Sequence, residues 1–153
     1  MIRFERTRDL APVRAILTHP AIWRHVIDES GPEAQNWQPC NNPGIWYVLA
    51  YDGEQLLGLY AFYPQNAVCY EIHTAFLPSA WGPSTRAAGL AIWDWIWAHS
   101  PALRIVASVP ADNPLVLRYA ERSGMTRHGL NTASFLRGGK LHDQILLGIS
   151  KPE

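Results

Sequence analysis

Glu71 and His73 stand two residues apart in the run Tyr70-Glu71-Ile72-His73-Thr74-Ala75-Phe76-Leu77. In a strand, residues i and i+2 share a face, so a carboxylate and an imidazole would project together. Either can take a proton from an amine, directly or through a water. The bland alternatives are a strand-end carboxylate held by neighbouring arginines and a half-buried histidine satisfied by backbone. The same strand stops at Pro78, passes through a short turn at Trp81-Gly82-Pro83 and feeds a helix from Ser84 to His99. The first N–H groups of a helix have no intrahelical partner, and the helix dipole adds positive potential there, so this turn is a candidate anion cradle with a carboxylate nearby.

Other reactive residue types are less informative. His19, His25, His99, His128 and His142 show no ligand spacing with Cys or carboxylates, so no metal site is expected. Cys69 has no local base and reads as a small core hydrophobe. Cys40 and Cys69 are the only cysteines. Two free thiols suit a reducing compartment, and with charged residues interrupting the first apolar run a cytoplasmic location, in a bacterium or a phage-infected host, is expected. Net charge is zero and the pI is near 7.0, which gives no footing for a nucleic-acid groove or an anionic membrane surface. Trp93, Trp95 and Trp97 lack an accompanying basic groove and read as packing residues, as Asp143 reads as structural in the last hairpin.

The elements that must position these residues follow from pattern. The 153 residues suit one domain, 1–153. Ile2 to Glu5 alternates as a short strand. Asp9 can cap a helix from Leu10 to Leu17, and Ala21 to Asp28 reads as a second helix. Glu29 to Gly44, rich in Pro, Gly and Asn, is a long loop. Trp46–Tyr51 and Leu56–Tyr63 are strands joined by an Asp-Gly turn. Val68 to Leu77 is the fourth strand. The helix from Ser84 is apolar nearly all round and is expected to be buried on most sides. Ile105–Val109 is a strand, Leu115–Ser123 a helix closed by Gly124. Met125–Leu130 and Ala133–Leu136 are two strand pieces, and Gly138-Gly139 turns into a last strand, Leu141–Ser150. The order implies a mixed α/β (α+β) single domain, a mostly antiparallel sheet of about six to seven strands flanked by about four helices.

The order and its local motifs resemble the GCN5-related N-acetyltransferase (GNAT) superfamily. Glu71-Ile72 followed by Pro78 and Trp81-Gly82 looks like the "E-I-G…P…W-G-x-G" pattern of the ribosomal-protein N-terminal acetyltransferase branch. Pro110-Ala111-Asp112-Asn113 followed by Gly124-Met125 is similar to "P-x-N…L-G-F", and Gly138-Gly139-Lys140-Leu141-His142-Asp143 to the "D-G-x-x-x-D" ending. Thr18-His19-Pro20 and His73-Thr74 are similar to small phage-encoded acetyltransferase-like proteins. The resemblance runs in order over most of the chain.

It implies acetyl-CoA as cosubstrate and a primary amine as acceptor, in a monomer or homodimer. The pyrophosphate would lie on Trp81, Gly82, Pro83, Ser84, Thr85, Arg86 and Ala87. The pantetheine arm would run beside Phe76 and Leu77, where the fourth and fifth strands splay, and Asn113 would contact it. The amine would lose its proton to Glu71, His73 or a water they hold, and a backbone N–H of the fourth strand would stabilise the oxyanion. Two positions depart from the pattern. Ser84 replaces a glycine, and Arg86 replaces a small residue, so Arg86 either swings out to pair with a phosphate or blocks the cradle; in the second case the fold would serve as a catalytically degenerate interaction or assembly module. Where the family carries a general-acid tyrosine this chain has Ala120. Tyr119 is one residue away, about 100° around the helix, and is expected to face elsewhere.

Overall fold

The computed structural model describes residues 1–153. In order the elements are β1 (Ile2–Thr7), α1 (Leu10–Leu17), α2 (Pro20–Val26), β2 (Trp46–Asp52), β3 (Gln55–Pro64), β4 (Cys69–Phe76), α3 (Pro83–His99), β5 (Arg104–Pro110), α4 (Pro114–Arg122), β6 (Thr126–Arg137) and β7 (Lys140–Ser150). The strands form one seven-stranded sheet in the order β1-β2-β3-β4-β5-β7-β6. Every neighbouring pair is antiparallel except β4 and β5. The sequence-based architecture is borne out.

Local chemistry sets the helix starts. Asp9 Oδ1 accepts from Ala11 N at 3.1 Å and begins α1. Asn113 Oδ1 accepts from Val116 N at 3.4 Å and begins α4 behind Pro114. α2 differs from expectation. His19 Nδ1 accepts from Ala21 N at 3.1 Å, so the helix starts at Pro20, and it stops at Val26 because Ile27 is extended. Ile27 and Asp28 thereby leave the helix.

Two apolar layers cover the two faces of the sheet. One, with α3 and α4, holds Val48, Tyr60, Phe62, Ile92, Ile105 and Leu147; the other, with α1 and α2, holds Val13, Ile16, Leu17, Tyr47, Leu59 and Ala61. α3 is buried on one face only, which corrects the expectation of burial on most sides. Ala88, Ile92, Trp93, Ile96 and Trp97 meet the sheet, while Arg86, Ala87, Asp94 and Ala98 are exposed and Leu90 is 60 % exposed. Nothing packs over the outer side, where alanines leave little apolar area to cover. β6 is one bulged strand instead of two pieces. Its register shifts between Asn131 and Phe135, Ala133 adopts φ 51°, and Asp143 Oδ1 accepts from Ala133 N at 2.8 Å, which anchors the bulge.

Candidate functional site

β4 and β5 pair at Cys69–Arg104, Tyr70–Ile105 and Glu71–Val106, and then diverge. On its other side β4 stays paired with β3 through Phe76, and Leu77 N donates to Leu57 O at 2.9 Å. Antiparallel alternation therefore sends the peptide groups of His73, Ala75 and Leu77 toward β3, and those of Thr74 and Phe76 toward the opening. The sheet has a fork at its centre, and its β4 arm presents backbone donors and acceptors with no strand opposite.

Glu71 sits at the vertex of the fork and His73 just past it. Both lie on the α1/α2 face, as the period of two requires, with Glu71 Oε1 3.8 Å from His73 Nε2. The imidazole is 46 % exposed and the carboxylate 29 %. Tyr63, opposite Glu71 across β3, sets its ring edge-on to His73 at 5.2 Å. Desolvation by the surrounding protein lowers the His73 pKa below the ordinary 6.5, and the Glu71 carboxylate only partly offsets it. His73 is thus neutral near pH 7 and has a lone pair to offer. Tyr47, whose Oη donates to Cys40 O at 2.9 Å, and Tyr63 are both pushed upward by burial. Those phenols stay protonated and act as walls.

On the opposite face lies the start of α3. Gly82, at φ 132°, precedes it, no side chain caps it, and a Cβ built on Gly82 would meet nothing within 4 Å. Pro83 has no N–H. The Ser84 and Thr85 N–H groups have no partner in the chain. Ser84 does not cap the helix; its Oγ donates to Asp52 Oδ2 at 2.9 Å, and the Met1 ammonium meets Asp52 Oδ1 at 2.8 Å. These two donors hold the Asp52 carboxyl below its usual range, the ammonium most strongly. Arg86 and Ala87 are exposed, and Arg86 makes no hydrogen bond or ion pair. Its guanidinium is free of partners within the chain. Trp81 is 60 % exposed, and its Nε1 donates to Phe76 O at 3.0 Å, satisfying one acceptor of the open β4 arm. Phe76 buries its ring against Tyr60, centroids 5.2 Å apart; Thr74 N–H, Thr74 C=O and Phe76 N–H remain open.

Tyr119 reaches under this turn. Its Oη lies 2.7 Å from Tyr60 Oη and donates to Thr85 O at 3.1 Å, while Thr85 Oγ1 donates to Ala80 O at 2.6 Å. Gly89 makes room, since a Cβ there would lie 2.7 Å from Tyr119 Oη. Burial pushes Tyr119 up to about 12, so it remains a neutral donor. Asn113 caps α4 with its Oδ1.

The structure also brings together residues that the sequence did not single out. A cavity of about 360 Å³ lies between the end of α2 and the β6–β7 hairpin, lined by Arg24, His25, Asp28, Glu29, Leu136 and Arg137. Asp28 Oδ2 accepts from Leu136 N at 3.1 Å, and Glu29 accepts from Gly138 N and Gly139 N. Arg137 Nη1 donates to both carboxylate oxygens of Asp112, at 3.0 and 3.1 Å. No group of three His, Cys, Asp or Glu side chains could hold a metal ion, and no helix is long and apolar enough to cross a membrane.

No family model matches the chain, and no curated protein matches it by sequence. Solved structures do match. The crystal structure of spermidine N-acetyltransferase from Vibrio cholerae in complex with CoA and spermine is 15 % identical with a TM-score of 0.79, covering 97 % of this chain and 95 % of that one. A chimera of the V. cholerae enzyme SpeG with hSSAT is 16 % identical, with a TM-score of 0.78 and the same coverage. A complex of the V. cholerae spermidine/spermine enzyme with manganese ions is 15 % identical, with a TM-score of 0.72 and coverage of 97 % and 92 %. The fold of the chain is the GNAT fold.

Proposed function

We propose that this chain is an acetyl-CoA-dependent N-acetyltransferase acting on a primary amine. The fork carries the reading. It is a gap through the sheet that joins an uncapped helix start on one face to a carboxylate–imidazole pair on the other. The residues present fit the cosubstrate: Ser84 and Thr85 N–H and the free Arg86 for the pyrophosphate, with Gly82, Pro83 and Ala87 leaving space around it. Open peptide groups of Thr74 and Phe76 suit the pantetheine arm, with Leu77 at its phosphate end and Asn113 across the fork. Acetyl-CoA supplies an activated acyl thioester. Glu71 and neutral His73 hold the acceptor amine and remove its proton, and Thr74 N–H or Phe76 N–H stands ready for charge that develops on the carbonyl oxygen. The motif order supports a place near the ribosomal-protein N-terminal acetyltransferase branch, beside the small phage-encoded proteins. Two free cysteines support a cytoplasmic setting.

The test is thiol release from acetyl-CoA with spermidine, L-lysine and a peptide α-amine as acceptors, with product mass as confirmation. Acceptor-dependent release that Glu71→Gln reduces is expected. Hydrolysis no faster than without protein, for every amine, contradicts the reading and leaves the degenerate module.

A further inference from the structure

The cavity beside the fork has a chemistry of its own. Its walls belong to elements on both arms of the fork: α2, which packs on β4, contributes Arg24 and His25, and Arg137 is tied to Asp112 just past the end of β5. A molecule in the cavity therefore lies on the Glu71/His73 face of the sheet.

The hydrogen bonds already made there divide the side chains of the cavity. Asp28 Oδ1 accepts from Ser30 N and Ser30 Oγ, and its Oδ2 accepts from Leu136 N. Glu29 accepts from two backbone N–H groups of the hairpin turn. Arg137 is engaged by Asp112 and by Arg24 O at 3.3 Å. Arg24 is different. Its Nε donates to His25 Nε2 at 3.1 Å, but its terminal nitrogens have no partner and no carboxylate pairs with it. The same bond fixes the proton of neutral His25 on Nδ1. Partial burial and the charges of Arg137 and Arg24 hold His25 below the ordinary imidazole range, which keeps it neutral. So the two acids of the cavity are turned to backbone N–H groups and Ser30, Arg137 is engaged, and Arg24 is the cation there whose terminal donors have no partner.

We propose that this cavity binds a carboxylate of the acceptor, with Arg24 as its ion-pair partner and His25 Nδ1–H as a second donor, so that the acceptor is an amine that also carries a carboxylate, as an amino acid or a peptide does. This rests on the acetyltransferase reading for the word acceptor, but not for the binding. It separates the chain from its structural neighbours, one of which was solved with spermine, a molecule with no anionic group.

Matched probes test it without turnover. The protein is titrated by calorimetry with L-lysine and L-lysinamide, with glycylglycine and glycylglycinamide, and with spermidine. Each carboxylate probe is expected to bind about tenfold or more tightly than its amide, the range for a charge-assisted contact, and more tightly than spermidine. Arg24→Gln should remove the difference and Arg24→Lys should keep part of it. The Arg24 side chain is exposed, so both variants should fold. Spermidine binding as tightly as the carboxylate probes, equal binding within each pair, or a preference that survives Arg24→Gln overturns the proposal. If the preference is present but no acetyl group is transferred, the cavity assignment stands and the enzyme reading fails.

Discussion

In the proposed reaction Glu71 and His73 divide one task, and their geometry predicts how each variant behaves. Glu71 lies about 20 Å of extended chain from Leu77, too far from the cradle to affect pyrophosphate binding. Glu71→Gln should leave the acetyl-CoA Kd within about threefold and lower acceptor-dependent thiol release about tenfold or more, the lower part of the range for a general base. The deficit should shrink as pH rises and the amine deprotonates unaided. If His73→Gln abolishes release and Glu71→Gln does not, the roles are reversed. His73 also makes a stability prediction. Its folded-state pKa lies below the ordinary 6.5, so as pH falls the unfolded chain takes up the proton first. Stability should be independent of this residue above pH 6.5 and should decline below it. Urea unfolding across that window should show a shallower acid decline for His73→Gln; an unchanged slope assigns the decline to other groups. This pair was legible from sequence because a strand period of two needs no tertiary information.

At the scale of elements, the first turn of α3 is held from below by a chain of hydroxyls, Tyr60 to Tyr119 to the Thr85 carbonyl. Tyr60 is 1 % exposed and Tyr119 is its only hydrogen-bond partner. Tyr119→Phe should therefore cost about 1–3 kcal/mol in denaturant unfolding, the penalty for a buried hydroxyl left unpaired. Adding Tyr60→Phe should not increase the cost, since both polar groups are then gone. Simple addition of two penalties would show that the hydroxyls act independently. Arg86, in the same turn, is a cation near the positive end of the helix dipole, an unfavourable position without an anion. Arg86→Ala should weaken CoA binding by about 1–3 kcal/mol, and tighter binding would mark the side chain as an obstruction. The cap at Asp9 read directly from sequence, since its side chain bonds its own helix. The start of α2 at Pro20 and the bulge at Ala133 did not, because one depends on a histidine cap and the other on Asp143 from the next strand.

At the scale of the molecule, the order of elements determines the sheet, and the sheet determines the fork. One parallel pair, β4 with β5, is held together for three residues, and its divergence creates the passage between faces. That much follows from strand order and the resemblance it carries. The cavity could not be read in advance, because its walls meet across a gap of 108 residues, from Asp28 to Leu136, and no local pattern in either segment names the other. The central claim is that the start of α3 and the open edge of β4 receive acetyl-CoA. Isothermal titration of the whole chain with acetyl-CoA tests it most directly, with pantetheine as the comparison lacking the nucleotide and pyrophosphate. Saturable one-to-one binding below millimolar concentration, much weaker for pantetheine and weakened by Arg86→Ala, is the predicted result; no binding of acetyl-CoA at millimolar concentration contradicts the account.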